Sequence, residues 1–473
     1  GFWLYFTADR ALSEEAFAKI QQAQAIKQSQ LEDYFSERQG DLNVLVDTVA
    51  ALQEEGYSRT AVIQQDKKAG VERLFTTLET GIRLLESDPS VQRAMEDLST
   101  TTSTEVVGDN EGVLPLSRAV HEERMAAVAQ RLGWEDIILI DPSGIVVFSL
   151  RGEDGIGSSL LEEPLNESAL AEAYSILAGD SERDIAYGDY KPYPPMEGQF
   201  VAFIATRVLN ADGEVIGYAA TMLPTDEING IVQNRTGLGE TGESYLVGEI
   251  MGETSYRSNR VVKTGNIGDP RTDKYTERAL AGEMGQALKV GSTGAMELVH
   301  YAPLDIEGLH WVINTTISYE EVVAPRLEGA DEDYFAKYIR EYGYYDLFLI
   351  NNSGDVFYTV IKEPDYHTNM VDGVYSDSNL GGLVREVLET KQFGFADFEP
   401  YEPSAGAPAS FIAQPLLDGD EVDLVVALQL PLDRVNSIMQ ERTGMGETGE
   451  TYLVGPDKLM RSDSYLYPDG HSV

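Results

Sequence analysis

Cysteine is absent from all 473 positions, so neither a disulfide framework nor thiolate chemistry is available to this chain. Basic residues are scarce: 35 Lys and Arg stand against 80 Asp and Glu, a formal charge of −45. Such a surface repels nucleic-acid phosphates and anionic lipid headgroups, which argues against nucleic acid as a partner. The carboxylates are spread along the chain rather than gathered into a block, so they read as a solvated coat, compatible with a saline setting. No apolar run reaches the ~20 residues that span a bilayer. The five histidines, at 121, 300, 310, 367 and 471, form no metal-binding spacing. Neither a Gly-x-Ser-x-Gly elbow nor a Gly-Lys-Ser/Thr phosphate loop occurs. No cofactor and no catalytic constellation are expected.

What is present is enough apolar content, 42% of residues, to build packed cores, and enough length for about three domains. The opening "GFWLYF" (Gly1–Phe6) is apolar, lacks an initiator Met and is followed at once by polar sequence; it reads as the outer end of a membrane helix, or as an ordinary buried terminus. Ser13 with Glu14 and Glu15 forms a plausible helix start. From there Phe17, Ile20, Leu31, Phe35, Leu42, Leu45, Val49 and Leu52 recur at helical spacing, and Val71, Leu74, Leu78, Ile82 and Leu85 continue it until Asp88-Pro89. The first run covers about 40 residues, or roughly 60 Å of helix. Its stripe serves either a second copy of the chain or an intramolecular hairpin.

The chain also repeats itself. "GWEDIILIDPSGIVVFSL" begins at Gly133 and "GYYDLFLINNSGDVFYTV" at Gly343; each is an apolar run, an Asp/Asn-x-Ser-Gly turn and a second apolar run, the pattern of a β-hairpin. "DYKPYPPMEGQFVAFIATRV" from Asp189 matches "DFEPYEPSAGAPASFIAQPL" from Asp397, and each copy continues through another strand into "PTDEINGIVQNR" or "PLDRVNSIMQER". Small indels separate two copies of one folding unit.

"RTGLGETGESYLVG" (Arg235–Gly248) returns as "RTGMGETGETYLVG" (Arg442–Gly455), each with Gly-x-Gly-x-x-Gly spacing. A dinucleotide fingerprint needs a strand before the glycines and a helix after them, so that phosphates meet the helix N-terminus. Here the predicted order is helix first, strand second, and Glu240 and Glu243 place negative charge where phosphate would sit. The stretch is a helix-to-strand joint. Beyond the first joint, "DKYTERALAGEMGQAL" is expected to be helical and "AMELVHYAPLDIEGLHWVINTTI" to be two strands around an Asp305–Gly308 turn. Beyond the second, the matching module is expected to be cut short at Val473.

A long N-terminal helix, paired modules with a Tyr-x-Pro segment and "GETGETYLVGPDKLMRSDS" at the joint together resemble double Cache (dCache) sensor domains, the extracytoplasmic regions of bacterial chemoreceptors, sensor histidine kinases and membrane-bound cyclases. The resemblance implies an α+β fold of long N-terminal helices and tandem PAS-like modules with antiparallel sheets. It implies a periplasmic region, membrane-anchored in the full-length protein, that signals through the long helix as a homodimer. The expected segments are a helical region over 1–115, a first module over 116–236, a second over 237–325, a third over 326–443 that repeats the first, and the start of a fourth over 444–473.

Small-molecule sites combine aromatic or apolar walls with a few placed polar groups. Tyr187, Asp189, Tyr190 and Tyr193 lead onto the strand with Phe203, and alternation puts Arg207 on the same face; Arg151, just past the hairpin, is a further cation for a carboxylate. The second copy offers Asp397, Phe398, Tyr401, Ser404, Phe411 and Gln414. The competing reading is that Tyr193 and Tyr401 simply pack, with Pro192 and Pro400 fixing a loop. His300-Tyr301 and His310-Trp311 either line a pocket of the second module or pack. The amino-acid-sensing subset of dCache domains carries an Arg-x-Trp-Tyr cluster here and an Asp on the following strand. Residues 186–198 hold no Arg and no Trp, and the strand carries Ala220, Thr221 and Met222. An organic acid, another metabolite or a protein partner remains as ligand, an adhesive or scaffold ectodomain being the alternative function.

Overall fold

The computed structural model describes residues 2–102, 113–152, 155–291, 294–326, 329 and 331–473, with side chains for all of these except 2–12, 100–102 and 113–118. The apolar opening Gly1–Phe6 therefore lies outside the described side chains. The chain divides into two compact units, one of Ser58–Lys289 and Leu298–Ile317, the other of Gly1–Tyr57, Val290–Glu297 and Ser318–Val473.

One helix, α1 (Phe2–Leu85), runs through the region where a start at Ser13 was expected. Ser13 sits inside it, since a cap preference is weaker than an already propagating helix. The stop is as the sequence implies: α2 (Pro89–Thr102) begins at the proline, and the Asp88 carboxylate accepts from Ser90 N at 2.8 Å.

Within the first unit, α3 (Val113–Leu132) leads into β1 (Ile138–Ile140), β2 (Val146–Ser149), α4 (Ala169–Gly179), β3 (Ile185–Tyr193), β4 (Gln199–Leu209), β5 (Val215–Met222) and α5 (Thr225–Val232). The strands form one antiparallel sheet in the order β2-β1-β5-β4-β3. The β1–β2 turn forms because Asp141 Oδ1 accepts from Ser143 N and Ile145 N, both at 2.9 Å. One face packs on α4, through Leu170, Ala173 and Leu177 against Phe203 and Ala205; the other packs on α1 through Val71, Phe75, Leu78 and Ile82.

A second sheet follows, from β6 (Glu243–Ile250), β7 (Glu253–Tyr256), β8 (Gly285–Val290), β9 (Met296–Pro303) and β10 (Trp311–Ser318) in the order β7-β6-β10-β9-β8, with α6 (Lys274–Leu280) between β7 and β8. The helix expected to reach Leu288 stops at Leu280, because Gly282 adopts φ +89° and turns the chain into β8.

In the other unit, α7 (Tyr319–Val323) and α8 (Tyr334–Tyr342) precede β11 (Asp346–Asn351), β12 (Val356–Thr359), α9 (Asn379–Thr390), β13 (Gly394–Tyr401), β14 (Ala407–Asp418), β15 (Glu421–Leu430) and α10 (Leu432–Met439). Their sheet order, β12-β11-β15-β14-β13, reproduces the first sheet strand for strand. The N-terminal part of α1 packs here through Leu31 and Tyr34 against Phe398, Val435 and Met439. Three five-stranded antiparallel sheets with flanking helices make an α+β chain of PAS-like repeats, as the sequence implies. After α10 the described chain carries an isolated bridge, Val454 to Met460.

Candidate functional site

A β-bulge decides which tyrosines face which way. The β3–β4 register shifts between Gly188 and Lys191, and the β13–β14 register shifts between Ala396 and Glu399. The extra residue puts Tyr187 and Tyr190 on the α1 side and Tyr193 on the α4 side. Tyr187 donates to Glu79 Oε1 at 2.9 Å, with its ring 5.8 Å from that of Phe75. Tyr190 stacks on Trp311 at 5.8 Å, and its hydroxyl lies 2.8 Å from Thr225 Oγ1. Phe398, the counterpart of Tyr190, packs on Leu31.

On the α4 side, Tyr193 and Phe203 meet edge to face at 5.1 Å, and Tyr401 and Phe411 do the same at 5.0 Å. All four rings are buried. Burial pushes both tyrosine hydroxyls above their ordinary pKa, so each is a neutral hydrogen-bonding group. Tyr401 donates to Asp365 Oδ2 at 2.6 Å and Ser404 to Glu363 Oε2 at 2.6 Å. Gln414 is half-buried on β14, opposite Val426.

The cations are placed elsewhere. Arg207 does lie on the α4 face, but its guanidinium donates to the carbonyls of Leu177, at 3.2 Å, and Asp180, completing the end of α4. Arg151 is exposed and pairs with Glu135 at 2.9 Å. Asp189 pairs with Arg257 at 2.7 Å, both buried, and Asp397 pairs with Arg461 at 2.7 Å. The Asp189 carboxyl is pushed up by burial although Arg257 pulls it down. Two further buried carboxylates anchor the hairpins: Asp136 Oδ1 accepts from Leu150 N at 2.8 Å, and Asp346 Oδ1 from Val360 N at 2.9 Å. Burial pushes both up, Asp346 to about 7.

The glycine stretch joins α5 to β6, helix before strand. Gly237 and Gly239 take φ +79° and +63°, as a sharp exit from a helix requires. Arg235 closes the turn from inside, donating to Gly242 O at 3.0 Å, Gly239 O at 2.8 Å and Glu240 O. Arg442 does the same for Gly449, Gly446 and Glu447. These are carbonyls gathered around a cation, the reverse of the amide cradle that a phosphate needs.

Of the second-module candidates, His300, Tyr301 and Trp311 pack, while His310 is exposed. His300 Nε2 lies 2.8 Å from Thr60 Oγ1 in a buried setting, Tyr301 lies 5.6 Å from Tyr275, His310 Nε2 bonds Leu280 O at 2.9 Å, and Trp311 is buried against Tyr190. A separate open groove of about 430 Å³ lies along α1, lined by Leu74, Thr77, Gly81, Trp134, Pro224 and Glu227 among others, and none of the sequence-predicted residues reaches it. Among the described residues no group of three or more His, Asp or Glu is placed to hold a metal ion, and no helix is long and apolar enough to cross a membrane.

Arg257, Arg461 and Asp365 escape a reading by motif. The signal for the arginines was nonetheless present, since both joints are followed by Arg-Ser, at 257–258 and 461–462. Each such serine accepts from a backbone amide, Leu246 N or Leu453 N, at 2.8 Å.

Comparison with known proteins follows the geometry. No curated protein matches the chain. Among solved structures, the ligand-binding domain of the Pseudomonas aeruginosa PAO1 amino acid chemoreceptor PctB, in complex with L-Gln, is 14% identical with a TM-score of 0.35, over 56% of this chain and 93% of that one. The sensor domain of the V. cholerae histidine kinase DctB is 15% identical with a TM-score of 0.34, over 57% and 98%. The family dCache_1, described as Cache domain, matches residues 8–326. With more than half of its length matched, this chain belongs to the Cache-domain family in its double form, a family of sensory ligand-binding domains.

Proposed function

We propose that this chain is the extracytoplasmic ligand-sensing region of a bacterial transmembrane signalling receptor of the chemoreceptor or sensor histidine kinase type. It binds a small molecule and signals through α1. The observation that carries this reading is the repeated aromatic wall, Tyr193–Phe203 and Tyr401–Phe411, held between sheet and helix in two copies of one module. A bound molecule there would favour one packing of helix on sheet over another, and that difference in affinity is what shifts a receptor between states.

The modules divide at about 116–236, 237–325 and 326–443, with 444–473 opening a fourth. Pairing of α1 with a second copy is supported by its exposed apolar residues Phe17 and Ile20, 67% and 65% exposed and one turn apart. The wall residues Tyr193, Phe203, Tyr401 and Phe411 are the ligand candidates, while Tyr187, Asp189, Tyr190 and their counterparts transmit rather than touch.

A thermal-shift screen of the whole chain against metabolites tests the reading. Saturable stabilisation is expected, about 2.7 kcal/mol at a hundredfold excess over Kd. Silence across the library, together with a tight protein partner, would establish the adhesive or scaffold reading instead.

A further inference from the structure

The glycine joints are kept more alike than the aromatic walls. Between the two copies, 12 of the 14 residues of Arg235–Gly248 and Arg442–Gly455 are identical, against 8 of the 20 over Asp189–Val208 and Asp397–Leu416. A turn by itself demands its positive-φ glycines and the arginine that closes it. The rest of the match answers to another constraint.

That constraint is α1, which touches each joint. In the first copy Ile63, Lys67 and Gly70 follow one another along one face of α1, at steps of four and three residues. A Cβ on Gly237 would meet Ile63 Cδ1 at 3.0 Å, and a Cβ on Gly70 would meet Ile231 Cγ2 at 3.0 Å, so α1, the joint and α5 approach closely. Between these contacts Lys67 Nζ donates to Val232 O, at the end of α5, at 2.8 Å, and to Ser244 Oγ, at the start of β6, at 3.0 Å. Ser244 Oγ lies in turn 2.8 Å from Thr315 Oγ1 on β10. In the other unit Lys27 Nζ donates to Ile438 O, in the last turn of α10, at 2.5 Å. Thr451, the counterpart of Ser244, donates to Met439 O at 2.6 Å.

Both lysines are buried, each 6% exposed, and among the described residues both spend their ammonium on these uncharged oxygens. The charged groups acting on Lys67 are Arg235, which repels it, and Glu243, which attracts it; burial outweighs both and pushes the amine down to about 8. Buried ammonium groups are rare without a paired carboxylate, and the negative end of a helix dipole returns only part of the lost hydration. A methionine would fill the same path without that cost.

Resting on the sensing reading above, we propose that the glycine joints are where each module is coupled to α1, with Lys67 and Lys27 as the positioning residues that fix the register of α1 on the joint. Each ammonium meets its acceptors in one alignment of helix and joint, the role in which buried polar groups are best attested. A shift of the joint moves those acceptors, and α1 follows.

Hydrogen exchange read by mass spectrometry on the whole chain tests this with four proteins: the native chain, Gly242→Ala, Lys67→Met and the double variant. Gly242→Ala disturbs the joint from within, because its Cβ would lie 2.2 Å from Leu238 O, and the nearest atoms around it all belong to Leu238. It is expected to speed exchange over residues 236–248 in both backgrounds. Over residues 60–75 of α1 it should speed exchange at least threefold in the native background, roughly the scale of one weakened hydrogen bond, and leave it unchanged beside Lys67→Met. An equal effect on α1 in both backgrounds, or none in the native one, overturns the proposal. Should Gly242→Ala fail to fold, Gly449→Ala, whose Cβ would lie 2.4 Å from Met445 O, supplies the same test with Lys27→Met, read over residues 20–35. Neither result touches the sensing reading, which the ligand screen decides on its own.

Discussion

Asp189 accepts from Arg257 at 2.7 Å, and Asp397 accepts from Arg461 at the same 2.7 Å, each pair inside its own compact unit. Both aspartates stand on the bulged strand that ends at the wall tyrosine, and both arginines stand beyond the glycine joint. The pair therefore ties a candidate ligand-binding sheet to the segment that follows it, and it is built twice.

The two copies should differ in strength because they differ in burial. The Arg257 and Asp189 side chains are 0% and 8% exposed, whereas Asp397 is 41% exposed. Asp189→Asn or Arg257→Met alone should cost about 3–5 kcal/mol, since each strands a buried charge or donor. The double variant Asp189→Leu/Arg257→Met should recover most of it, because burial already outweighs the pairing at Asp189. Asp397→Asn should cost about 1 kcal/mol or less. Denaturant titration of the four proteins measures this, and equal losses at the two sites would contradict it.

The joint makes a separate prediction. Arg235→Ala removes donors from three backbone carbonyls and should destabilise by about 1–3 kcal/mol. ADP and NAD at millimolar concentration should leave the melting temperature of the native chain where it is. A nucleotide-dependent rise abolished by Arg235→Ala would mean that the turn binds phosphate after all.

His300 supplies a pH dependence. Burial pushes its imidazole down to about 4 from an ordinary 6.5. The folded value is the lower one, so the unfolded chain takes the proton first as pH falls. The stability contribution is whole above 6.5 and is lost as pH drops through 4, at most about 3 kcal/mol. His300→Gln, able to keep a bond to Thr60, should flatten the stability profile between pH 6.5 and 4 relative to the native chain. Parallel profiles would show that His300 takes up its proton as readily folded as unfolded.

The repeat explains what was legible in the sequence. Hairpins and the helix-before-strand joint follow from turn residues and apolar runs near in sequence, such as Asp141 to Gly144 and Pro224 to Gly248, where local chemistry decides, whereas strand order rests on the distant pairing of β1 with β5. The wall tyrosines were legible as aromatic residues but not by face. Strict alternation from Tyr187 would place Tyr193 beside it, and the bulge at Gly188–Lys191 reverses that. Asp189 and Arg207 looked like ligand groups because nothing within a few residues satisfies them. Their partners, Arg257 and the last carbonyls of α4, lie 68 and 27–30 residues away. Asp365 was invisible for the same reason, its partner Tyr401 being 36 residues on.

The most direct test of the account is the position of a bound small molecule in a crystal structure of the chain grown with a compound that raises its melting temperature. The molecule is expected between a sheet and its helix, against Tyr193 and Phe203 beside α4 or against Tyr401 and Phe411 beside α9. A molecule seated instead on the glycines of residues 237–242, or in the groove beside Trp134, would contradict it.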